Sequence, residues 1–304
     1  MGKLDLSVII LTYNEEIHIR RCLEKICEIA RDIFIVDSYS TDRTLEIAQQ
    51  YDGVHILKHK WENNHAKQFN WGLEHANIKT EWVLRIDADE YLLPNLIEEL
   101  IQKLPSFDES VSGLVMKRRH IFMGKWMKRG VYPVKLLRIF RYGKAVCEQR
   151  LMDEHIQLLD GNVVELENDF CDHNLNNLSW FCQKHVGYAI REAADLLEIE
   201  LGISGNTSSI DGIRMSEQAK QKRAKKLKYA KAPLFWRAFI YFLYRYFLKL
   251  GFLDGKEGFL WHFLQGWWYR TLVDAKVYEI KKVCGNDKVK IAEHLRDVYF
   301  IDVK

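Results

Sequence analysis

The chain reads as an α/β protein with a Rossmann-like, mostly parallel sheet flanked by helices, followed by a C-terminal helical region. Three observations predict this. Apolar, β-branched runs at 6–12, 32–37, 54–58 and 81–87 alternate with stretches of helical character. Three of those runs stop on a polar residue, Thr12, Asp37 and Asp87, and in parallel βαβ sheets ligands gather at the carboxyl ends of strands. From Leu178 onward helical patterns dominate.

The elements follow in order. The first run has the unbroken apolar character of a strand buried on both faces and ends at Thr12-Tyr13-Asn14-Glu15-Glu16. A helix with Ile17, Arg20, Leu23, Ile26 and Ala30 on its apolar side comes next, then the second strand. Ser38 to Asp42 supplies several N-cap residues for a helix through Gln50. The third strand leads to a helix over 66–75, and the fourth strand stops at an acidic cluster. After Pro94 the expectation is a helix near 96–104, strands near 113–119 and 135–141, and an irregular stretch to about Asn177. Residues 202–211, rich in Gly, Ser, Asn and Thr, read as a loop or hinge. The predicted division is an α/β domain over 1–175 and a helical region over 176–304.

Composition narrows the class. With 304 residues, 48% hydrophobic, 29% charged and only 4 prolines, the chain is long and apolar enough for a substantial core. A net charge of +3 gives no argument for nucleic-acid binding. The six cysteines, Cys22, Cys27, Cys147, Cys171, Cys182 and Cys284, contain no C-x-x-C pair or zinc-like spacing and suit a reduced, cytosolic compartment. Leu4, Asp5 and Leu6 run into a strand, so no cleavable leader is expected, and Leu6 spoils a myristoylation motif.

The sharpest chemical feature is Asp87-Ala88-Asp89-Glu90, directly after an apolar strand. Crowded carboxylates repel, and a hard cation such as Mg²⁺ or Mn²⁺ relieves that repulsion, taking one or two carboxylates plus substrate phosphate oxygens. The blander alternative is a solvated acidic turn that caps the next helix. Asp37 has the same two readings: a hydrogen-bond acceptor for a base or ribose, or the cap of the Ser38 to Thr41 turn.

Four ordered segments resemble family-two glycosyltransferases of the GT-A fold: Ser7-Val8-Ile9-Ile10-Leu11-Thr12-Tyr13-Asn14-Glu15, Val36-Asp37-Ser38-Tyr39-Ser40-Thr41-Asp42-Arg43-Thr44, Ala66-Lys67-Gln68-Phe69-Asn70-Trp71-Gly72-Leu73 and Asp87-Ala88-Asp89-Glu90. Within that family the chain most resembles the subgroup of lipopolysaccharide-core β-glucosyltransferases and exopolysaccharide transferases, a likeness that extends, more weakly, to 251–259 and 275–279. It implies that Thr12, Tyr13, Asn14, Glu15 and Asp37 line a nucleotide site. Lys67 and Asn70 would lie along the donor, Asp87 and Ala88 at the ribose or sugar, and Asp89 on the Mg²⁺ or Mn²⁺. The implied reaction is inverting transfer of one sugar from a nucleotide-diphosphate donor, a UDP-sugar being favoured, to a glycan or glycolipid acceptor. An acidic pair supplies the base in many relatives. Here Asp153-Glu154 reverses the common order; Glu154 matches the second acidic position, with Asp153 as the other candidate and a plain polar turn as the alternative. The Gln-x-x-Arg-Trp signature of processive relatives is absent. Arg138, Arg141 and Arg150 are candidate anion holders, and His155 and His173 candidate supporting partners.

Residues 220–231 carry seven basic side chains, and an aromatic-rich stretch follows over 233–250. A spanning helix needs about 20 apolar residues, and Arg237 and Arg245 interrupt this one. Peripheral binding to the anionic inner face of the cytoplasmic membrane is the resulting expectation, against a solvated basic helix followed by ordinary core helices. Two further readings are a sugar nucleotidyltransferase, for which a Gly-rich phosphate loop after the first strand is missing, and an inactive membrane-interaction protein, which would tolerate loss of the aspartates.

Overall fold

The computed structural model describes residues 2–148, 155–202 and 228–301. They fall into two compact units, Met1–Trp126 with Tyr132–Leu175, and Met127–Val131 with Asn176–Lys304.

The first unit is built on one sheet. Its strands are β1 (Leu6–Thr12), β2 (Asp32–Asp37), β3 (Val54–Lys58), β4 (Trp82–Asp87), β5 (Glu90–Leu92), β6 (Val111–Phe122), β7 (Lys125–Trp126), β8 (Val134–Arg141) and β11 (Asn162–Asp172), in the order β3-β2-β1-β4-β8-β6-β11-β5 with β7 paired to β6. A separate hairpin joins β9 (Ala145–Cys147) to β10 (Ile156–Leu158). Helices α1 (Ile19–Ile26), α2 (Thr44–Ala48), α3 (His65–His75) and α4 (Pro94–Lys103) complete the unit. Strands β3, β2, β1 and β4 run parallel, as the alternation of runs implied. Beyond β4 the sheet is mixed: β8 is antiparallel to both β4 and β6, and β11 is parallel to β6 but antiparallel to β5.

The central strands are apolar throughout because both faces are covered. Along β1, Leu6, Val8 and Ile10 join a core with Leu23 and Ile26 of α1 and Leu96 and Leu100 of α4. Ile9 points the other way, packing with Val36, with Ala66 and Phe69 of α3, and with Leu158 of β10. Gly72 lets α3 lie this close: a Cβ there would stand 2.7 Å from Val36 Cγ2. α3 is N-capped by Asn64, which accepts from Lys67 N at 2.9 Å.

Three sequence expectations need correction. The buried face of α1 is Ile19, Cys22, Leu23 and Ile26, while Ile17 precedes the helix and is exposed, as is Arg20. The stretch thought irregular contains β11, an interior strand of the sheet. Arg141, expected to hold phosphate or an anionic acceptor, is engaged within the unit: it donates to the carbonyls of Val111, Phe107 and Asp108, pairs with Glu81 and stacks over Trp82.

The second unit is helical. Helix α5 (Leu178–Leu201) is N-capped by Asn177 and stops at Gly202, whose φ of 58° is left-handed. It packs along α8 (Tyr269–Cys284). Between them lie α6 (Trp236–Leu243), running into a π-helical stretch Tyr244–Leu248, then α7 (Gly255–Trp261) with a second one, His262–Trp268; α9 (Lys288–Tyr299) closes the described chain. Arg237 is buried on Asp274, with Nε to Oδ1 at 2.7 Å, and donates to the carbonyls of Tyr229 and Ala230. Arg245 is also buried, donating to Gln265 Oε1. These two arginines turn inward, although the sequence suggested charge breaking an apolar surface.

Candidate active site

Parallel pairing sets the geometry. Thr12 stands opposite Asp37 across β1 and β2, and Leu11 opposite Asp87 across β1 and β4, so three strands end at one level. The Asp37 carboxylate is buried: Oδ1 accepts from Thr12 Oγ1 at 2.9 Å and Ser40 Oγ at 2.5 Å, and Oδ2 from Ser40 N at 2.8 Å. It anchors the loop after β2. That loop meets the one after β1 reciprocally. Asn14, at a φ of 56°, donates its N–H to Ser40 Oγ and accepts from Thr41 N at 2.8 Å. Glu15 N donates to Thr44 Oγ1, and Glu16 exchanges bonds with Asp42 and Arg43. His18 Nε2 accepts from Leu175 N at 2.9 Å, so Nδ1 carries the proton donated to Glu15 Oε2 at 2.6 Å. Tyr13 and Tyr39 are left exposed at the rim.

The acidic cluster is organised around Arg138 of β8. Its Nη2 donates to Glu90 Oε1 at 2.8 Å and to Asp87 Oδ2 at 3.4 Å, while Glu90 Oε2 accepts from Asp87 N at 2.9 Å. Burial works to raise the Asp87 carboxyl, but Arg138 and Arg85 outweigh it and hold that group below the usual carboxylate range. Burial dominates at Glu90; Arg138 opposes it, Asp87 and Asp172 reinforce it, and the carboxyl is pushed up to about 8. Asp172 at the end of β11 is kept low, against its own burial, by His120 and Arg118, with His120 Nδ1 at 3.1 Å and Arg118 Nη1 at 3.2 Å. Repulsion among the carboxylates is thus already shared out among arginines and a histidine. Ala88 is buried in the core beneath the turn.

Asp89 is placed differently from its neighbours. The backbone around it is held from a distance: Asp89 O accepts from His173 N at 3.1 Å and from Arg21 Nη2 at 3.2 Å. Its Oδ2 accepts from Asn174 Nδ2 at 2.9 Å, and the residue is half-buried. Among the described residues no group of three or more His, Cys, Asp or Glu side chains is arranged to hold a metal ion. Asp89 offers one carboxylate, which suits a hard cation that draws its other ligands from phosphate and water.

The remaining candidates are spread around this centre. Lys67 is exposed in the first turn of α3 and pairs with Glu62 at 3.1 Å. The Asn70 amide makes two bonds to Cys147, Nδ2 to O and Oδ1 from N, each 2.9 Å, fastening β9 to α3. Asp153, Glu154 and Arg150 lie outside the described residues, as do most of 202–211 and 220–231. His155 opens β10, its carbonyl accepting from Glu148 N at 2.9 Å. His173 does stand at the cluster, where burial first and Arg21 second depress its basicity. Arg21, Arg118, His120, Asp172 and Asn174 were not singled out in the sequence. No local signal marks them, since each acts on a residue at least 50 positions away.

The chain is similar to known proteins over part of its length. Residues 7–155 match the family described as Glycosyl transferase family 2. The lipopolysaccharide core biosynthesis glycosyltransferase LpsC of Rhizobium meliloti is 34% identical over 146 residues, 47% of this chain and 53% of that protein. The SPbeta prophage-derived glycosyltransferase SunS of Bacillus subtilis is 37% identical over 81 residues, 26% of this chain and 19% of SunS. The chain therefore spans about half or less of these relatives. Among solved structures, S. aureus TarS 1–349 aligns over 93% of this chain and 92% of that one, with a TM-score of 0.41 and 17% identity. Glucosyl-3-phosphoglycerate synthase from Mycobacterium tuberculosis, in complex with Mn²⁺, UDP and glucosyl-3-phosphoglycerate, aligns over 39% and 44%, with a TM-score of 0.31 and 20% identity.

Proposed function

We propose, on the match of residues 7–155 to glycosyl transferase family 2, that the chain is a glycosyltransferase of the GT-A fold that transfers a single hexose, with inversion, from a nucleotide-diphosphate sugar to a lipid-linked or lipopolysaccharide-type glycan. The observation that carries this reading is the meeting of Thr12, Asp37 and the Asp87 to Glu90 turn at the carboxyl ends of adjacent parallel strands.

In this reading the loops after β1 and β2, locked together through Asn14, Ser40 and Thr41, form the floor on which a nucleotide lies. Asp37 acts by shaping that floor; Tyr13 and Tyr39 offer exposed faces for the base. Asp87, kept ionised by Arg138 and Arg85, accepts from the ribose or sugar hydroxyls, and Lys67 offers a cation beside the donor. A Mg²⁺ or Mn²⁺ held by Asp89 would supply Lewis-acid stabilisation of the departing diphosphate. The acceptor proton goes to Glu154 or Asp153, a contribution of ~10²–10⁴-fold. A UDP-sugar is the favoured donor, residues 1–175 the catalytic domain and 176–304 the helical region. The place of action is the cytoplasmic face of the membrane, where a lipid-linked acceptor is presented.

Asp89→Ala is the direct test. Release of nucleoside diphosphate dependent on Mn²⁺ or Mg²⁺ should fall to background while the circular dichroism spectrum and melting midpoint stay near wild type. Undiminished turnover in that variant overturns the assignment.

A further inference from the structure

Helix α6 and its π-helical continuation are turned inside out. On a helix of a water-soluble protein the outward stripe is polar and the inward one apolar. Here the outward positions are Trp236 (66% exposed), Ile240 (59%), Tyr244 (44%), Phe247 (53%) and Leu248 (75%), recurring at helical spacing with no charge among them. The inward positions are Arg237, Ala238, Phe242 and Arg245, the charged pair being bonded within the unit to Asp274 and Gln265. The apolar surface continues past the helix. Tyr246 links Phe247, Phe252 and Phe259 by ring contacts of 5.1, 6.2 and 5.8 Å, and Phe252 and Leu253 are themselves exposed. Soluble monomers rarely display a contiguous apolar patch of more than a few hundred Å² unless something docks on it.

Charge identifies what docks. Residues 235–259 contain two carboxylates, Asp254, buried against Arg129, and the half-buried Glu257. Lys249 and Lys256 are exposed, with Lys249 Nζ 5.7 Å from the Tyr244 ring centroid. Seven further basic residues precede the stripe in sequence over 220–231. An apolar band with aromatic residues and a lysine fringe matches a layer of acyl chains under anionic headgroups. A second copy of the same face would set lysine against lysine. No helix among the described residues is long and apolar enough to cross a membrane.

We propose that the outward stripe from Trp236 to Leu248, with the Phe252–Leu253 turn, is an interfacial anchor that inserts into an anionic lipid surface. This gives residues to the membrane part of the proposed function and rests on it, but its test uses neither donor nor acceptor. The full chain is sedimented with vesicles of phosphatidylcholine, with and without phosphatidylglycerol. Wild type should bind the phosphatidylglycerol vesicles, and added salt should weaken the binding. The double variant Ile240→Glu/Phe247→Glu should bind at least tenfold more weakly with an unchanged melting midpoint, because both side chains lie outside the core. Lys249→Ala and Lys256→Ala, which leave the stripe intact, should each weaken binding about fivefold. Wild type that ignores anionic vesicles, a double variant that binds normally, or a wild-type dimer that the double variant dissolves would each overturn the proposal. Loss of turnover in Asp89→Ala with vesicle binding retained would count against the transferase reading alone.

Discussion

The hydroxyl of Thr12 and the buried carboxylate of Asp37 illustrate how single groups hold the site. Asp37 Oδ1 has two donors, Thr12 and Ser40, and no access to water. Thr12→Val keeps the shape and deletes one donor, which should cost about 1–3 kcal/mol of stability. Urea denaturation measures it, and Thr12→Ser should recover most of the loss. At this scale the sequence was half legible. That Asp37 ends a strand followed from the runs themselves, and capping of the Ser38 to Thr41 turn was one of its two readings; the choice between them depended on Ser40 folding back across the strand end, which no periodicity encodes. The same limit applies to Arg138, which the sequence offered only as a candidate anion holder. Once antiparallel pairing inserts β8 beside β4, its guanidinium bridges Asp87 and Glu90.

Between elements, Glu99 fastens α4 to β11. One residue of α4 accepts from Glu167 N, Asn168 N, Asn168 Nδ2 and Lys103 Nζ, all at 2.9 Å. Burial alone would raise this carboxyl, but those donors outweigh it and bring it from 4.5 down to about 2. A lowered folded-state value means that the folded protein binds fewer protons than the unfolded chain. The stabilisation is therefore present above about pH 4.5 and lost as the pH falls through about 2. Glu99→Gln should be less stable by about 2 kcal/mol near neutrality, and the difference should shrink in acid, as denaturation curves across that range would register. β11 also shows why part of the fold was hidden in the sequence. β1, β2 and β4 are covered on both faces and read as continuous apolar runs. Asn162–Asp172 mixes Val and Phe with six acidic or amide residues, of which Asp169 and Asp172 are met by Arg119, Arg118 and His120 across the sheet. Its pairing with β6 slips at two points, so the two-residue rhythm of a strand is broken.

For the molecule as a whole, ligand linkage offers a check that needs no acceptor. A donor that binds only the folded state at a hundred times its dissociation constant adds about 2.7 kcal/mol. A panel of nucleotide sugars with Mn²⁺ should therefore raise the melting midpoint for the cognate donor, and Asp89→Ala should abolish the Mn²⁺-dependent part of that rise. The position of β11 reaches further. The family match ends at residue 155, yet β11 begins at residue 162, lies between β6 and β5, and is followed by Asn174, which steadies Asp89. Excision of residues 1–155 would strip β6 of an inner neighbour, bare a row of unpaired amides, and cast the acidic turn adrift. Such a fragment should aggregate on expression, whereas one extended to residue 175 regains the missing rung. The family match ends at residue 155 and the compact unit that holds it at Leu175, twenty residues on.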